Sequence, residues 1–167
     1  MNVYLIGMMG SGKTTTGRAL AKLLNMSFVD LDERIVERAG KSINEIFKTD
    51  GELYFRKLES DVLKEVTQET GRVVATGGGI VLDPKNAEIL KEARPMIFLK
   101  ADLETLWERV KTKRDRPLLQ GTDPKKTLAS LLAVREPLYQ AVANMTYFTD
   151  RKTPDEVANE IFETYFQ

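Results

Sequence analysis

The sequence predicts an α/β fold in one domain, with a parallel sheet covered by helices on both faces. Three observations carry the prediction. Five short apolar runs of strand character alternate with stretches of helical periodicity. The first run opens, through a glycine-rich segment, directly into a helix. And 167 residues with 42% hydrophobic content can bury one core but leave little room for a second.

Taken in order, Val3 to Ile6 is the first strand and feeds GMMGSGKT, Gly7 to Thr14. A helix follows to about Leu24, with Leu20, Leu23 and Leu24 apolar, and SFVDLD then reads as a second strand. Ser42 and Glu45 have capping-box spacing ahead of Ile46 and Phe47, which marks a helix start. Gly51 precedes a longer helix in which Leu58, Val62 and Val66 recur every four residues and Phe55 extends the stripe. RVVAT is a buried third strand ending in Gly77, Gly78 and Gly79. Pro84 suits a first helical turn, PMIFL is the fourth strand, and Asp102 can cap the helix leading to Arg109. Polar chain from Lys111 to Asp123 interrupts the pattern. Leu128, Leu131, Leu132 and Val134 mark the next helix, which Pro137 can bend or end. MTYFT is the fifth strand, and Pro154 to Phe166 the final helix, with Val157, Ile161 and Tyr165 spaced by four. No internal repeat or low-complexity segment is present.

Charge and composition exclude several functions. The 25 basic and 25 acidic residues balance, so no global field recruits nucleic acid or an anionic membrane. With no cysteine there are no disulfides, thiolate nucleophiles or Cys-held metals. With no histidine either, a general base near neutral pH must be a carboxylate, a perturbed lysine or water. The first strand begins without a basic flank or long apolar stretch, so neither a signal peptide nor a membrane span is expected, and the expected location is cytoplasmic.

The segment Gly7 to Thr14 matches G-x-x-x-x-G-K-[ST], a cradle for a nucleotide's phosphates. Its glycines let successive amides converge on phosphate oxygens, and the helix adds its free N–H groups and the positive end of its dipole. Lys13 can reach the β and γ phosphates, and Thr14 supplies a hydroxyl for magnesium. In a parallel sheet, ligands bind beyond the carboxyl ends of the strands. That rule gathers the cradle, Asp30 and Asp32 at the end of strand two, and the three glycines after strand three around one crevice. If the strand persists through Leu31, its period of two puts both carboxylates on one face, one for a metal and one for a substrate. A capping aspartate with a solvated neighbour fits the same residues. The glycines form either a loose turn or a bare backbone surface that a small polar molecule approaches closely. Arg135 falls seven residues after Leu128, on the apolar face of its helix, where a guanidinium requires an internal carboxylate or an anionic ligand. Arg56 beside Phe55 reads by default as a surface charge. Arg116, in the cation-rich stretch KTKRDRPLL, is either part of a solvated loop or an arginine brought to a transferring phosphoryl group by a closing lid.

Joined in order, GMMGSGKTTTGRALA, FVDLDERI, SINEIFKTDGELYFRKLE, ATGGGIV, DRPLL, VREPLY and the TDRKTP turn span essentially the whole chain. Together they resemble the shikimate kinases, a family of small P-loop kinases related to the nucleoside monophosphate kinases. The resemblance implies a three-layer fold with a five-stranded sheet in the order 2-3-1-4-5, substrate-binding helices at about 31–62 and a short lid at about 111–123. It implies transfer of a phosphoryl group from ATP, with Mg2+, to the 3-hydroxyl of shikimate, by a monomer that needs no nucleic acid or membrane. Gly10, Ser11, Gly12, Lys13, Thr14 and Thr15 would bind the ATP phosphates. Thr14 would coordinate magnesium, and Asp30 would reach it through water. Asp32 would bind shikimate and act as or orient the base, with Lys13 and Arg116 as the other catalytic residues. Arg56 and Arg135 would grip the carboxylate, backbone at Gly77, Gly78 and Gly79 would hold a hydroxyl, and Phe47 and Phe55 would wall the pocket. Arg109 and the Arg151–Lys152 turn would flank adenine, although the family more often has arginine where Lys152 stands, and an ammonium cannot stack as a planar guanidinium does. Gluconate kinase, which also takes a small polyhydroxy acid, and a nucleotide switch without acceptor chemistry are the rival readings. The two phenylalanines beside the arginines favour a ring-shaped acid.

Overall fold

The computed structural model describes residues 1–167. Its five strands are β1 (Val3–Ile6), β2 (Ser27–Asp30), β3 (Arg72–Ala75), β4 (Met96–Lys100) and β5 (Met145–Phe148), all parallel and in the order β2-β3-β1-β4-β5. Eight helices connect and cover them. They are α1 (Lys13–Leu24), α2 (Leu31–Ala39), α3 (Ile43–Thr49), α4 (Glu52–Thr67), α5 (Pro84–Glu92), α6 (Leu103–Val110), α7 (Pro124–Val142) and α8 (Pro154–Ile161).

Alternation along each strand, with apolar residues at both parities, produces the two covered faces. Val3 and Leu5 point to one side, joined by Val73, Ile97 and Leu99, and pack against Leu20 and Ala21 of α1 and Val157, Ala158 and Ile161 of α8. Tyr4 and Ile6 point to the other, joined by Val74, Met96 and Phe98, under residues from α2 to α7. The second cluster holds 26 buried residues against 10 in the first, so the thicker layer is the one that also carries the helices expected to take an acceptor. Each fully buried Leu, Ile or Val contributes about 1.5–3 kcal/mol relative to exposure. On the thin side α1 lies close to the sheet because Gly17 has no side chain: a Cβ there would stand 2.6 Å from the Phe28 ring.

Local chemistry places the ends of most elements. Ser42 accepts from the Glu45 amide at the start of α3, Asp83 and Asp102 cap α5 and α6, and a reciprocal Thr153–Glu156 capping box opens α8. Three expectations change. Strand two ends at Asp30, and the chain turns at once into α2, so Asp30 and Asp32 are related by a helix start and not by strand alternation. Pro137 neither ends nor shortens α7, which runs on to Val142; the proline faces solvent, where water can satisfy the carbonyl it leaves unbonded. The last helix is α-helical only to Ile161 and closes in a π turn, Phe162–Phe166. The connection 111–123 carries a single 3-10 turn, Pro117–Leu119, whose Leu119 is buried.

Candidate active site

Parallel pairing brings the segments after β1, β2, β3, β4 and β5 to one edge of the sheet, and a cavity of about 710 Å³ opens there. Its wall includes Lys13, Thr14, Asp30, Asp32, Gly78, Arg109 and Arg116.

One end is made by the loop after β1. Gly10 and Gly12 have φ of 81° and 91°, left-handed conformations in which a side chain would be strained, and α1 begins immediately after them. The Lys13 ammonium donates to the carbonyls of Gly7 and Met8 at 2.8 and 3.0 Å, so it is held within the loop. Burial, and then the nearby Arg116 guanidinium, push Lys13 down from 10.5 to about 8, while Asp32 and Asp30 oppose the shift. Thr14 donates to Asp30 Oδ2 at 2.7 Å, and Asp30 Oδ1 accepts from the Asp32 amide at 2.9 Å. Asp30 is therefore both the cap of α2 and the partner of the Thr14 hydroxyl, and the capping alternative was correct for it. Arg109 donates to the Gly10 carbonyl at 3.0 Å and to the Thr149 hydroxyl and carbonyl at 3.0 and 2.9 Å, tying the loop to the end of β5. Lys152 is not brought to the cavity wall; it pairs with Glu160 of α8 at 2.6 Å, and Arg151 beside it has a φ of 58°.

The other end lies around Gly77, Gly78 and Gly79. A Cβ on Gly77 would meet Glu59 and stand 3.3 Å from Asp32 Oδ1; one on Gly78 would stand 3.4 Å from Arg135 Nη1; one on Gly79 would stand 2.6 Å from Arg56 Cζ. The three glycines are thus a close-approach surface and not a loose turn. Arg56 is not a free surface charge: its side chain is only 19% exposed, it donates to Glu59 Oε1 at 3.0 Å and Glu52 Oε1 at 3.3 Å, and its guanidinium lies 5.2 Å from the Phe55 ring centre. Phe47 and Phe55 pack ring to ring at 4.9 Å. Arg135 is 2% exposed, its Nε is fully covered without a partner, and no carboxylate of the chain lies within ion-pair distance. Burial lowers its pKa and the Arg56 charge adds to that, with Tyr139 opposing. Of the two partners the sequence left open for Arg135, the structure provides no internal carboxylate.

Asp32 is where the ends meet. Its pKa is raised by burial and then by Asp30, against the opposing pull of Lys13, Arg116 and Arg56. Such a constellation can hold a polyanion at one end and a carboxylic acid at the other, with a carboxylate base between.

Two residues escaped the sequence reading. Glu59, 1% exposed, is raised to about 7 by burial, against the pull of Arg56. Its position, four residues after Phe55 and three before Val62 on the buried stripe, was the available signal. Tyr139 is fully buried, donates to the Gly78 carbonyl and lies against Arg135 four residues earlier, so it fixes both the glycine turn and the guanidinium.

The family model described as shikimate kinase matches residues 9–166. The shikimate kinase of Legionella pneumophila (strain Corby) is 47% identical over 162 residues, covering 97% of this chain and 93% of that one. The shikimate kinase of Xylella fastidiosa (strain M12) is 45% identical over 160 residues, covering 96% and 89%. Among solved structures, shikimate kinase from Acinetobacter baumannii in complex with shikimate superposes with a TM-score of 0.96 at 39% identity, covering 99% of this chain and 92% of that one.

Proposed function

The chain belongs to the shikimate kinase family, and from that premise we propose how its residues divide the work of the reaction. It is a phosphotransferase that phosphorylates shikimate in aromatic amino acid biosynthesis, with ATP as the donor. The whole chain acts as one domain and as a monomer, with the acceptor-binding helices at about 31–62 and a lid at about 111–123. No helix is long and apolar enough to cross a membrane.

The triphosphate lies along Gly10 to Thr15, where amides and the start of α1 meet its oxygens. Lys13 leaves the Gly7 and Met8 carbonyls for the β and γ phosphates, whose negative charge restores its proton affinity. The Thr14 hydroxyl and Asp30 carboxylate are hard oxygen donors of the kind Mg2+ takes, and no group of three or more carboxylates forms a cage of its own. An ion there depends on phosphate oxygens and water, as Mg2+ usually does. When bound, it neutralises charge between the β and γ phosphates.

Shikimate sits over the Gly77–Gly79 turn. Arg135 and Arg56 hold its carboxylate, Phe47 and Phe55 wall its ring, and the backbone at Gly78 receives a hydroxyl. The 3-hydroxyl oxygen attacks the γ phosphorus in line, the bond from γ phosphorus to the bridging oxygen of ADP breaks, and the hydroxyl proton passes to Asp32. Burial, by raising the Asp32 pKa, makes it a stronger base than an ordinary aspartate. Arg116 reaches the equatorial oxygens of the transferring group, and Arg109 flanks the adenine. The observation that carries this reading is one cavity whose wall brings Lys13, Asp32 and Arg116 together with Gly78, while Arg135 and Arg56 lie against the same glycine turn.

The test is a coupled ADP-release assay with shikimate, gluconate, nucleoside monophosphates and no acceptor, followed by phosphorus–proton coupling in the product. Release only with shikimate, and phosphate on the 3-oxygen, is expected. Release with every acceptor or with none, or phosphate on another oxygen, overturns it.

A further inference from the structure

Arg116 works only if the segment that carries it is held in place. Between residues 111 and 123 and the rest of the molecule beyond the flanking helices there is one hydrogen bond: Asn44 Nδ2 donates to the Arg114 carbonyl at 3.1 Å, across 70 residues of sequence. Asn44 is the second residue of α3, the helix that also carries Phe47, and it lines the main cavity. Its Oδ1 is fully covered and has no partner, so the bond to Arg114 is the one hydrogen bond its side chain makes. A cleft lined by Asn44, Phe47, Pro117 and Gln120 follows the same seam. Gln120 Nε2 donates to the same Arg114 carbonyl at 3.0 Å from within the segment. When the segment moves away, that carbonyl keeps one donor and Asn44 exchanges its bond for water. The contact is thus made and broken at small net cost, as a segment that must open every turnover requires.

We propose that Asn44 is a positioning residue, a latch that joins the segment 111–123 to the acid-binding helices and so holds Arg116, two residues beyond the latched carbonyl, over the transferring phosphate. This rests on the kinase reading above. Because α3 also walls the acid pocket through Phe47, the latch makes closure answer to the acceptor's end of the cavity as well as to ATP.

The substitutions Asn44→Gln, Asn44→Ala and Asn44→Asp separate the latch from helix stability. At the second position of a helix an aspartate favours the helix through its dipole, and alanine has the better propensity, so a structural role would leave Asp and Ala equal to or better than Asn. The latch ranks them the other way, since Gln keeps a donor, Ala loses it and Asp opposes an acceptor to a carbonyl. Loss of one such bond corresponds to roughly a 3-fold fall in kcat for Asn44→Ala, and the repulsion to roughly 10-fold for Asn44→Asp, with Asn44→Gln least affected. Tryptic cleavage between Lys111 and Arg114, with shikimate and a non-hydrolysable ATP analogue bound, is expected to accelerate in the same order. Wild-type kcat and wild-type cleavage in Asn44→Asp overturn the proposal, as does a fall in kcat without faster cleavage. A wild-type enzyme that turns over no shikimate would instead break the kinase reading, and the cleavage order would still read the latch.

Discussion

The proposed phosphate end and the proposed acid end of the cavity are built by different means. The first is one continuous segment, Gly7 to Thr15, which offers backbone amides, the start of α1 and Lys13. The second is drawn from four separated places, with Asp32 on α2, Arg56 and Glu59 on α4, Gly77 to Gly79 after β3, and Arg135 and Tyr139 on α7. The loop carries its desolvation cost in a single cation, Lys13, whose pKa burial lowers to about 8. The proposed acid end keeps the Arg135 guanidinium and the Glu59 carboxyl away from water, and a buried guanidinium without a carboxylate partner destabilises the fold until an anion arrives. The proposed phosphate grip is thus concentrated in one segment and one cation, whereas the proposed acceptor specificity is dispersed over four places.

Four substitutions test that contrast, in falling order of effect. Arg116→Ala is expected to lower kcat by about 10³-fold or more with the thermal midpoint unchanged, the low end for an arginine finger. Near-normal turnover would remove Arg116 from the chemistry and leave the phosphate end to amides and Lys13. Next, Arg135→Leu separates binding from stability. The KM for shikimate should rise on the order of 10²-fold, as for a truncated buried charge contact, while the KM for ATP stays put. The same variant should unfold at a higher temperature, because an uncompensated buried charge has gone, by an amount on the order of 1 kcal/mol or more. Equal weakening of both ligands, or a lower midpoint, would make Arg135 structural and erase the contrast.

Glu59 supplies the third test. Its folded value of about 7 exceeds the ordinary 4.5, so between these values the native state holds a proton that the unfolded chain has lost. The contribution is complete below about 4.5 and is lost as pH rises through about 7, a fall of roughly 3 kcal/mol. Asp32 shifts the same way and adds to the slope. Urea titrations from pH 4.5 to 8 should show this decline in wild type and a flatter profile in Glu59→Gln; parallel profiles would mean that the carboxyl is ionised throughout. Last and smallest is Lys152→Ala. The ion pair with Glu160 is exposed and contributes about 0–1 kcal/mol, so the KM for ATP should change less than about 2-fold. A large change would return Lys152 to the adenine site.

The same contrast governs what could be read beforehand. Sheet class and the phosphate loop were legible because each is written in short stretches, namely apolar runs of four or five residues, three glycines and a Lys-Thr pair, whereas the strand order came through the resemblance. At the acid end the residues were identified through resemblance, and their physics was harder to see. Arg56 looked like a surface charge because its partner Glu59, three residues on, was not read as buried. Asp30 and Asp32 reach the cavity as expected but by another route, since the strand stops one residue earlier than alternation required and the Asp30 carboxylate turns the chain into α2. The latch between Asn44 and Arg114 could not have been found, because nothing local marks a bond across 70 residues.

The three bonds from Arg109 have an implication for the molecule as a machine. One guanidinium bonds both the loop between β1 and α1 and the corner leading into α8, so it joins these two parts directly even though most of the chain separates them. Loosening the β5 rim is therefore expected to release the Gly10 carbonyl from its Arg109 donor, and rigidifying that distant corner is expected to steady the proposed nucleotide cradle without touching it.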